Sequence, residues 1–260
     1  MPFTLNKGYW TGAAGGGSDP NWTDVQLLLN FNSTPFTPEL SDNGFTFTGD
    51  TSSQDTTDTM FNSAGSWTGY SDATPPVLDQ TMYGGGQGIL CFPSSGAIWT
   101  AECFFRLDSG QGEGDYVLLA SSYDSQSGPG YYDVSFWWYI ESGQCHFKIF
   151  TGMSYPIPNT TFSGGSISDE TWYFNAFVAD GTNMSLYVGE ASASTASRVA
   201  TGSQVNMNNK DEFRINALTA SDGSISGYWP GQIDEMRITD GVARYSGSTC
   251  NIPSSPFPTQ

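Results

Sequence analysis

Positive charge is scarce in this chain. Eight Lys and Arg stand against 26 Asp and Glu, for a formal net charge of −18. Nucleic-acid binding depends on basic side chains that neutralise phosphates, so this balance argues against such a partner. It argues equally against an anionic membrane surface. No apolar run approaches the roughly 20 residues needed to cross a bilayer. The opening stretch MPFTLNKGYWTGAAGGGSDP lacks a basic region followed by an apolar one, so no secretory leader is expected and folding in a cytoplasm is. Histidine occurs once, at His146, and Cys91, Cys103, Cys145 and Cys250 show no CxxC spacing, which argues against a zinc site. The first three cysteines are expected as buried strand thiols. Charged residues make up 13% of the chain, too few for the Glu- and Lys-rich surfaces of a helical protein.

What is abundant points to strands and turns. Aromatics reach 15%, enough to fill a sizeable core, and Gly, Ser, Thr and Asn are plentiful. A length of 260 residues suits one large β-sandwich. Residues 1–23 are dominated at first by Gly and other small residues, with Phe3, Tyr9 and Trp10 spaced through them. That segment cannot pack as a unit alone, and its aromatics suit a flexible arm that docks onto a partner. From Asp24 to the end, short apolar segments alternate with Gly/Pro/Ser breaks. Strands are expected at Val25–Phe31, Phe45–Phe47, Gly88–Phe92, Trp99–Leu107, Tyr116–Ala120, Trp172–Ala179, Met184–Val188, Phe213–Leu218 and Gln232–Thr239. The pattern is that of an all-β, two-sheet antiparallel sandwich.

The clearest unit is a hairpin from Tyr131 to Phe150. With a turn at Ser142-Gly143, Ile140 faces Cys145, Trp138 faces Phe147 and Phe136 faces Ile149, one wholly apolar face. The other face then pairs Tyr139 with His146 and Trp137 with Lys148. A slip of one residue would bury Asp133 and Lys148, so both faces impose the same register. The outer face carries Tyr131, Asp133, Trp137, Tyr139, His146 and Lys148. Flat rings flanked by hydrogen-bonding groups suit the faces of sugar rings, and equally suit a protein interface.

The segment Gly231-Gln232-Ile233-Asp234-Glu235-Met236-Arg237-Ile238-Thr239-Asp240-Gly241-Val242-Ala243-Arg244-Tyr245, with Ser255-Pro256-Phe257-Pro258 after it, resembles the closing pattern of laminin G-like domains in the concanavalin A-like superfamily, of the type found in tailed-phage virion proteins. Trp172–Val178 and Leu186–Gly189 are similar to two further strands of that family, and Leu27–Phe31 to its opening strand. Asn30 and Asn32 stand where the family usually has His and Asp. The resemblance implies a jelly-roll sandwich over residues 24–260. Within the closing segment, alternation places Asp234 on the same face as Met236 and Ile238. A carboxylate there needs hydrogen bonds, and Asp234 is expected to tie a loop backbone. Arg244 and Tyr245 are expected to stitch the terminal segment to the sandwich.

Catalysis finds little support. Glucanases of this fold carry an E-x-D-x-E strand, and the nearest match, Gln232–Met236, lacks both outer carboxylates. His146 has no G-x-S-x-G partner segment, and Gly84-Gly85-Gly86 has no Lys-Ser/Thr after it. The resemblance therefore implies a non-enzymatic virion surface protein of a tailed bacteriophage. Two placements stay open: a capsid decoration or head-fibre subunit held by its N-terminal arm, or a tail-associated module that recognises host surface glycans. Its partners would be a major capsid or tail protein, host glycans, and further copies of itself in a homo-oligomer. Its location would be the virion surface, after assembly in the host cytoplasm. Calcium is the one cofactor the resemblance raises, at the sandwich rim, with no ligands assignable from spacing.

Overall fold

The computed structural model describes residues 19–30, 40–41, 46–48, 54–55, 59–61, 64–67, 77–79, 97–111, 116–121, 136–151, 159–206, 212–215, 218–219, 225–226 and 229–258. After a 3₁₀ turn at Trp22–Asp24, the described strands are β1 (Val25–Leu29), β2 (Leu40–Ser41), β3 (Thr46–Thr48), β4 (Gln54–Asp55), β5 (Ala64–Trp67) and β6 (Val77–Asp79). Then come β7 (Ile98–Leu107), β8 (Tyr116–Ser121), β9 (Phe136–Glu141), β10 (Gln144–Phe150), β11 (Asn159–Ser166), β12 (Tyr173–Asp180) and β13 (Asn183–Glu190). The last are β14 (Thr195–Ser203), β15 (Glu212–Ile215), β16 (Leu218–Thr219), β17 (Ile225–Ser226), β18 (Gly231–Asp240) and β19 (Thr249–Asn251).

Two antiparallel sheets hold nearly all of these. The first runs β19-β14-β13-β12-β7-β18-β1-β2, with the β4–β5 pair attached to β18, and the second runs β11-β10-β9-β8-β15-β6-β3. The all-β jelly-roll sandwich expected from the sequence is what forms. The expected Phe213–Leu218 strand divides into β15 and β16, and Gly88–Phe92 lies outside the described residues.

The core between the sheets comes from alternate residues of the facing strands. Trp99, Ala101, Cys103, Phe105 and Leu107 of β7 meet Phe136, Trp138 and Ile140 of β9 and Cys145, Phe147 and Ile149 of β10. Phe147 and Phe177 stack across the gap at 3.9 Å and 4°. Each such ring, fully buried, contributes roughly 1.5–3 kcal/mol. Among the described residues, the polar side chain of Asn175 sits in this layer, where its Nδ2 donates to the Cys145 thiol.

The outer face of the first sheet is covered as well, which is why β7, β12 and β18 are buried along almost their whole length. Phe104, Phe174 and Tyr187 point outward and are capped by the C-terminal segment, with Phe257 6.1 Å from Phe104 and Tyr245 5.8 Å from Phe174. Cys250 is buried in this second cluster. Cys103 and Cys145 are the buried strand thiols expected, whereas Cys91 lies outside the described residues.

The closing strand corrects one expectation. Asp234 pairs with Phe104 and faces outward, while Met236 and Ile238 face inward with Ile233. The cause is a β-bulge between Asp234 and Arg237, with Glu235 in the left-handed region at φ 49°. A bulge inserts one residue and reverses the alternation beyond it. It sits where β18 changes partner, from β5 at Gly231–Ile233 to β1 at Met236–Thr239. At the head of the strand, a Cβ on Gly231 would lie 2.1 Å from the Arg106 carbonyl oxygen, so only glycine allows that approach.

Candidate ligand-binding face

The β9–β10 hairpin has the register read from the sequence: Ile140↔Cys145, Tyr139↔His146, Trp138↔Phe147, Trp137↔Lys148 and Phe136↔Ile149. Its two-residue turn holds Ser142 at φ 51° and Gly143 at φ 67°. Positive φ at both positions makes the tight turn whose twist matches the strands it joins. Phe136, Trp138 and Ile140 are fully buried, so Trp137 and Tyr139 are turned to the outer face of the second sheet, where both are half-buried.

There the rings organise one another. Tyr139 stacks on His146 at 4.9 Å and 19°, and Trp137 meets Phe150 edge-on at 4.8 Å. Lys148 Nζ stands 5.2 Å from the Trp137 centroid and 5.4 Å from that of Phe150. His146 Nε2 lies 3.3 Å from the Glu141 carbonyl oxygen, a contact in which the imidazole N–H donates. Among the described residues Trp137 Nε1 and His146 Nδ1 have no partner, and both atoms are buried beneath the face. Trp137, Tyr139, His146 and Lys148 are therefore brought together. Tyr131 and Asp133 lie outside the described residues, as do Phe3, Tyr9 and Trp10.

Strand β11 extends the face in a way the sequence reading missed. It places Ser163 beside His146, Thr161 beside Lys148 and Asn159 beside Phe150, all three exposed. Two parallel rows result, Trp137–Lys148–Thr161 and Tyr139–His146–Ser163. Strands about 4.8 Å apart and a rise of about 3.4 Å per residue make each row roughly 10 Å long and the rows roughly 7 Å apart. The one signal of β11 in the sequence is the buried Phe162 between the outward Thr161 and Ser163.

The carboxylates of β18 are engaged elsewhere. Asp234, fully buried, accepts from the Phe61 backbone N–H at 3.1 Å. Burial pushes its carboxyl up to about 7, against the pull of backbone N–H groups from Phe61, Glu235 and Met60. Glu235, also buried, accepts from the Phe257 N–H at 2.8 Å and so fastens the C-terminal tail.

A second buried polar cluster lies on the same outer face of the first sheet. Arg237 donates to Glu102 at 2.8 Å and to Asp19 at 2.9 Å, and its guanidinium lies 4.0 Å over the Phe257 ring. Arg244 grips both Asp19 oxygens, at 3.1 and 2.8 Å, and donates to Thr239 at 2.7 Å. Tyr245 OH donates to Glu102. Burial works against the Asp19 carboxylate, but the bonds from Arg244 and the Asn21 N–H, with the charges of Arg244 and Arg237, outweigh it and hold its pKa below the usual range. Burial, and then the Glu102 charge, raises the Tyr245 hydroxyl well above its ordinary value. A cleft of about 240 Å³ beside this cluster, walled by Pro253, Pro256 and Phe257, exposes guanidinium groups already paired with carboxylates. Among the described residues no group of three or more His, Cys, Asp or Glu could hold a metal ion. No described helix is long and apolar enough to cross a membrane.

Known proteins place the fold. The binding domain of botulinum neurotoxin serotype C1 superposes with a TM-score of 0.54 at 12% identity, covering 84% of this chain and 49% of that one. The serotype D binding domain gives 0.53 at 10% identity, covering 85% and 49%. The receptor binding domain of the mosaic serotype C/D toxin gives 0.51 at 10%, covering 84% and 48%. The chain thus spans about half the length of these structures, and at such identities the likeness is one of fold. No curated protein matches it in sequence. The family model described as the concanavalin A-like lectin/glucanases superfamily matches residues 85–244, more than half of the chain. With that match and a two-sheet lectin-type sandwich, the chain belongs to the concanavalin A-like lectin/glucanases superfamily.

Proposed function

We propose that this protein is a non-enzymatic glycan-binding module that uses the outer face of the β9–β10–β11 sheet. The observation that carries the reading is the pair of rows Trp137–Lys148–Thr161 and Tyr139–His146–Ser163. Half-buried rings supply flat apolar surfaces, and hydroxyl, imidazole and ammonium groups beside them supply hydrogen bonds. Binding sites combine these two elements, an apolar contact area and a few placed polar groups. The similarity in fold to toxin binding domains, one of them described as a receptor binding domain, is consistent with it. The non-enzymatic part is supported by the use of Asp234 and Glu235 as backbone clasps, each buried and engaged with a loop or tail N–H.

The sequence resemblance supports display on the surface of a tailed-phage virion after assembly in the host cytoplasm. The protein would be a capsid decoration or head-fibre subunit held by its N-terminal segment, and its acidic charge would keep a densely displayed protein soluble. The aromatic face favours the second placement, a tail module that reads host glycans. Glycan-array screening of the purified protein, followed by calorimetry with the best ligand, tests the binding function. Trp137→Ala is expected to weaken binding at least tenfold with an unchanged far-UV circular dichroism spectrum. Unaltered affinity in Trp137→Ala and Tyr139→Ala would refute the site. Cryo-electron microscopy of the virion tests the placement: density over the shell means decoration, density at the tail means adsorption, and absence from the particle overturns both.

A further inference from the structure

We infer that the glycan read by this face carries a carboxylate, as a uronate or a sialate does, and that the anion pairs with Lys148 while a sugar ring packs on Trp137 or Tyr139. The inference rests on the glycan-binding reading.

The placement of cations carries it. Among the described residues, Arg106, Arg237 and Arg244 are paired with Asp108, Glu170, Asp19 and Glu102, and the exposed Arg198 lies opposite Tyr187 on β14 of the other sheet, away from this face. Lys148 has no carboxylate partner among the described residues, and its ammonium instead stands over the Trp137 and Phe150 rings. An aromatic face attracts a cation through its quadrupole and leaves the charge in place. The ammonium therefore retains donors for a ligand, and it is held at the ring against which a sugar would pack.

Among the described residues, acidic side chains keep away from the Trp137–Lys148–Thr161 row, in a chain whose net charge is −18. On the hairpin, the nearest described acidic side chain is Glu141, four residues from Trp137 along β9. At about 3.4 Å per residue Glu141 stands roughly 14 Å from Trp137 and roughly 7 Å from Tyr139, so it is the Trp137–Lys148–Thr161 row that lies beyond the screening length of about 8 Å in physiological salt. A carboxylate placed between Lys148 and Thr161 meets an ammonium and a hydroxyl donor in one row. Bonds to a charged partner are about twice as strong as neutral ones, so the acidic sugar is preferred over a neutral one of the same shape.

The test is calorimetry on the full chain with two matched pairs of probes: oligogalacturonate against its methyl-esterified form, and sialyllactose against lactose. The expected result is at least tenfold tighter binding of the acidic member of one pair, which identifies the sugar. That preference should vanish in Lys148→Gln, return in part in Lys148→Arg, and weaken in 0.5 M salt. Trp137→Ala should weaken both members of the pair. Equal affinity for acidic and neutral members, still sensitive to Trp137→Ala, overturns the carboxylate inference and leaves the glycan site standing. An acidic preference that survives in Lys148→Gln overturns the role of Lys148. No binding of these probes, with no hit on a glycan array, overturns both readings.

Discussion

Asp234 should make this fold more stable in mild acid than in mild base, and Asp234→Asn should remove that dependence. The carboxyl is fully buried against the outer face of the first sheet, where Phe61 and Phe104 meet edge-on at 5.2 Å. Burial raises it to about 7 from an ordinary value of 3.8. A carboxyl with a raised folded pKa binds its proton more tightly in the native state. Its contribution to stability is complete below about pH 4 and is lost as pH rises through about 7. A shift of about three units corresponds to about 4 kcal/mol in full, of which roughly 2.5 kcal/mol falls between pH 5 and 8. The other carboxylates also titrate, so the signal is the difference between wild type and Asp234→Asn. Asparagine keeps an oxygen for the Phe61 N–H but puts an amide where Oδ1 has no partner, a pH-independent cost of about 1–3 kcal/mol. Urea denaturation of both proteins at pH 5, 6, 7 and 8 separates that offset from the slope. The stability advantage of the wild type should shrink by roughly 2.5 kcal/mol across the series. Parallel curves would refute the claim that burial governs this carboxyl.

Other outcomes follow from the packing. Gly231→Ala forces a Cβ to within 2.1 Å of the Arg106 carbonyl oxygen and should cost more than about 4 kcal/mol, seen as insoluble expression or a collapsed urea midpoint. Glu102→Gln leaves Arg237 facing a neutral amide in a buried site and should destabilise by about 3–5 kcal/mol in the same assay. Asp19→Ala should release the residue 19–24 segment, read as faster hydrogen exchange at Trp22 and Asp24, whose N–H groups bond Asp19 and Asn21 carbonyls. Cys103, Cys145 and Cys250 should resist a disulfide reagent at pH 8 until the protein unfolds. All three are buried, with the Cys145 and Cys250 thiols pushed up to about 12, and peptide mapping of the labelled protein identifies them.

How much of this was readable in advance depended on how many constraints met at one residue. The β9–β10 register was readable because inward Phe136, Trp138 and Ile140 and outward Trp137 and Tyr139 all demand the same alignment. Strands β11 and β14 were not, since each has few apolar residues and draws its order from backbone pairing to a neighbour. The bulge in β18 left a trace that simple alternation overlooks. Ile233, Met236 and Ile238 are spaced three and then two apart, which no regular strand can turn to one side. Glu102 is a lone charge inside Trp-Thr-Ala-Glu-Cys-Phe-Phe, and nothing local names Asp19 and Arg237 as the other members of its cluster. Those partners come from positions 83 or more residues away and appear only once the sheet is closed. The candidate site was legible through its aromatic column and illegible in its β11 flank for the same reason.

The two outer faces of the sandwich differ in how much a substitution there should cost the fold. On the first sheet, outward residues are buried by the C-terminal segment and locked by Asp19, Glu102, Arg237, Arg244 and Tyr245. Any new group there must displace packed rings or break a desolvated ion pair, so that face has little freedom to change a ligand. On the second sheet, period-two alternation sends Phe136, Trp138 and Ile140 to the core and Trp137 and Tyr139 outward. The inward set carries the hydrophobic stabilisation, and the outward set carries charge, hydroxyls and ring faces at half-buried or exposed positions. Substitutions at Trp137, Tyr139, His146 or Lys148 should therefore cost less stability than substitutions at their inward neighbours, because they open no cavity between the sheets. A surface that can vary at small cost to the fold suits the proposed glycan site, and on this molecule that surface is the hairpin with its β11 neighbour.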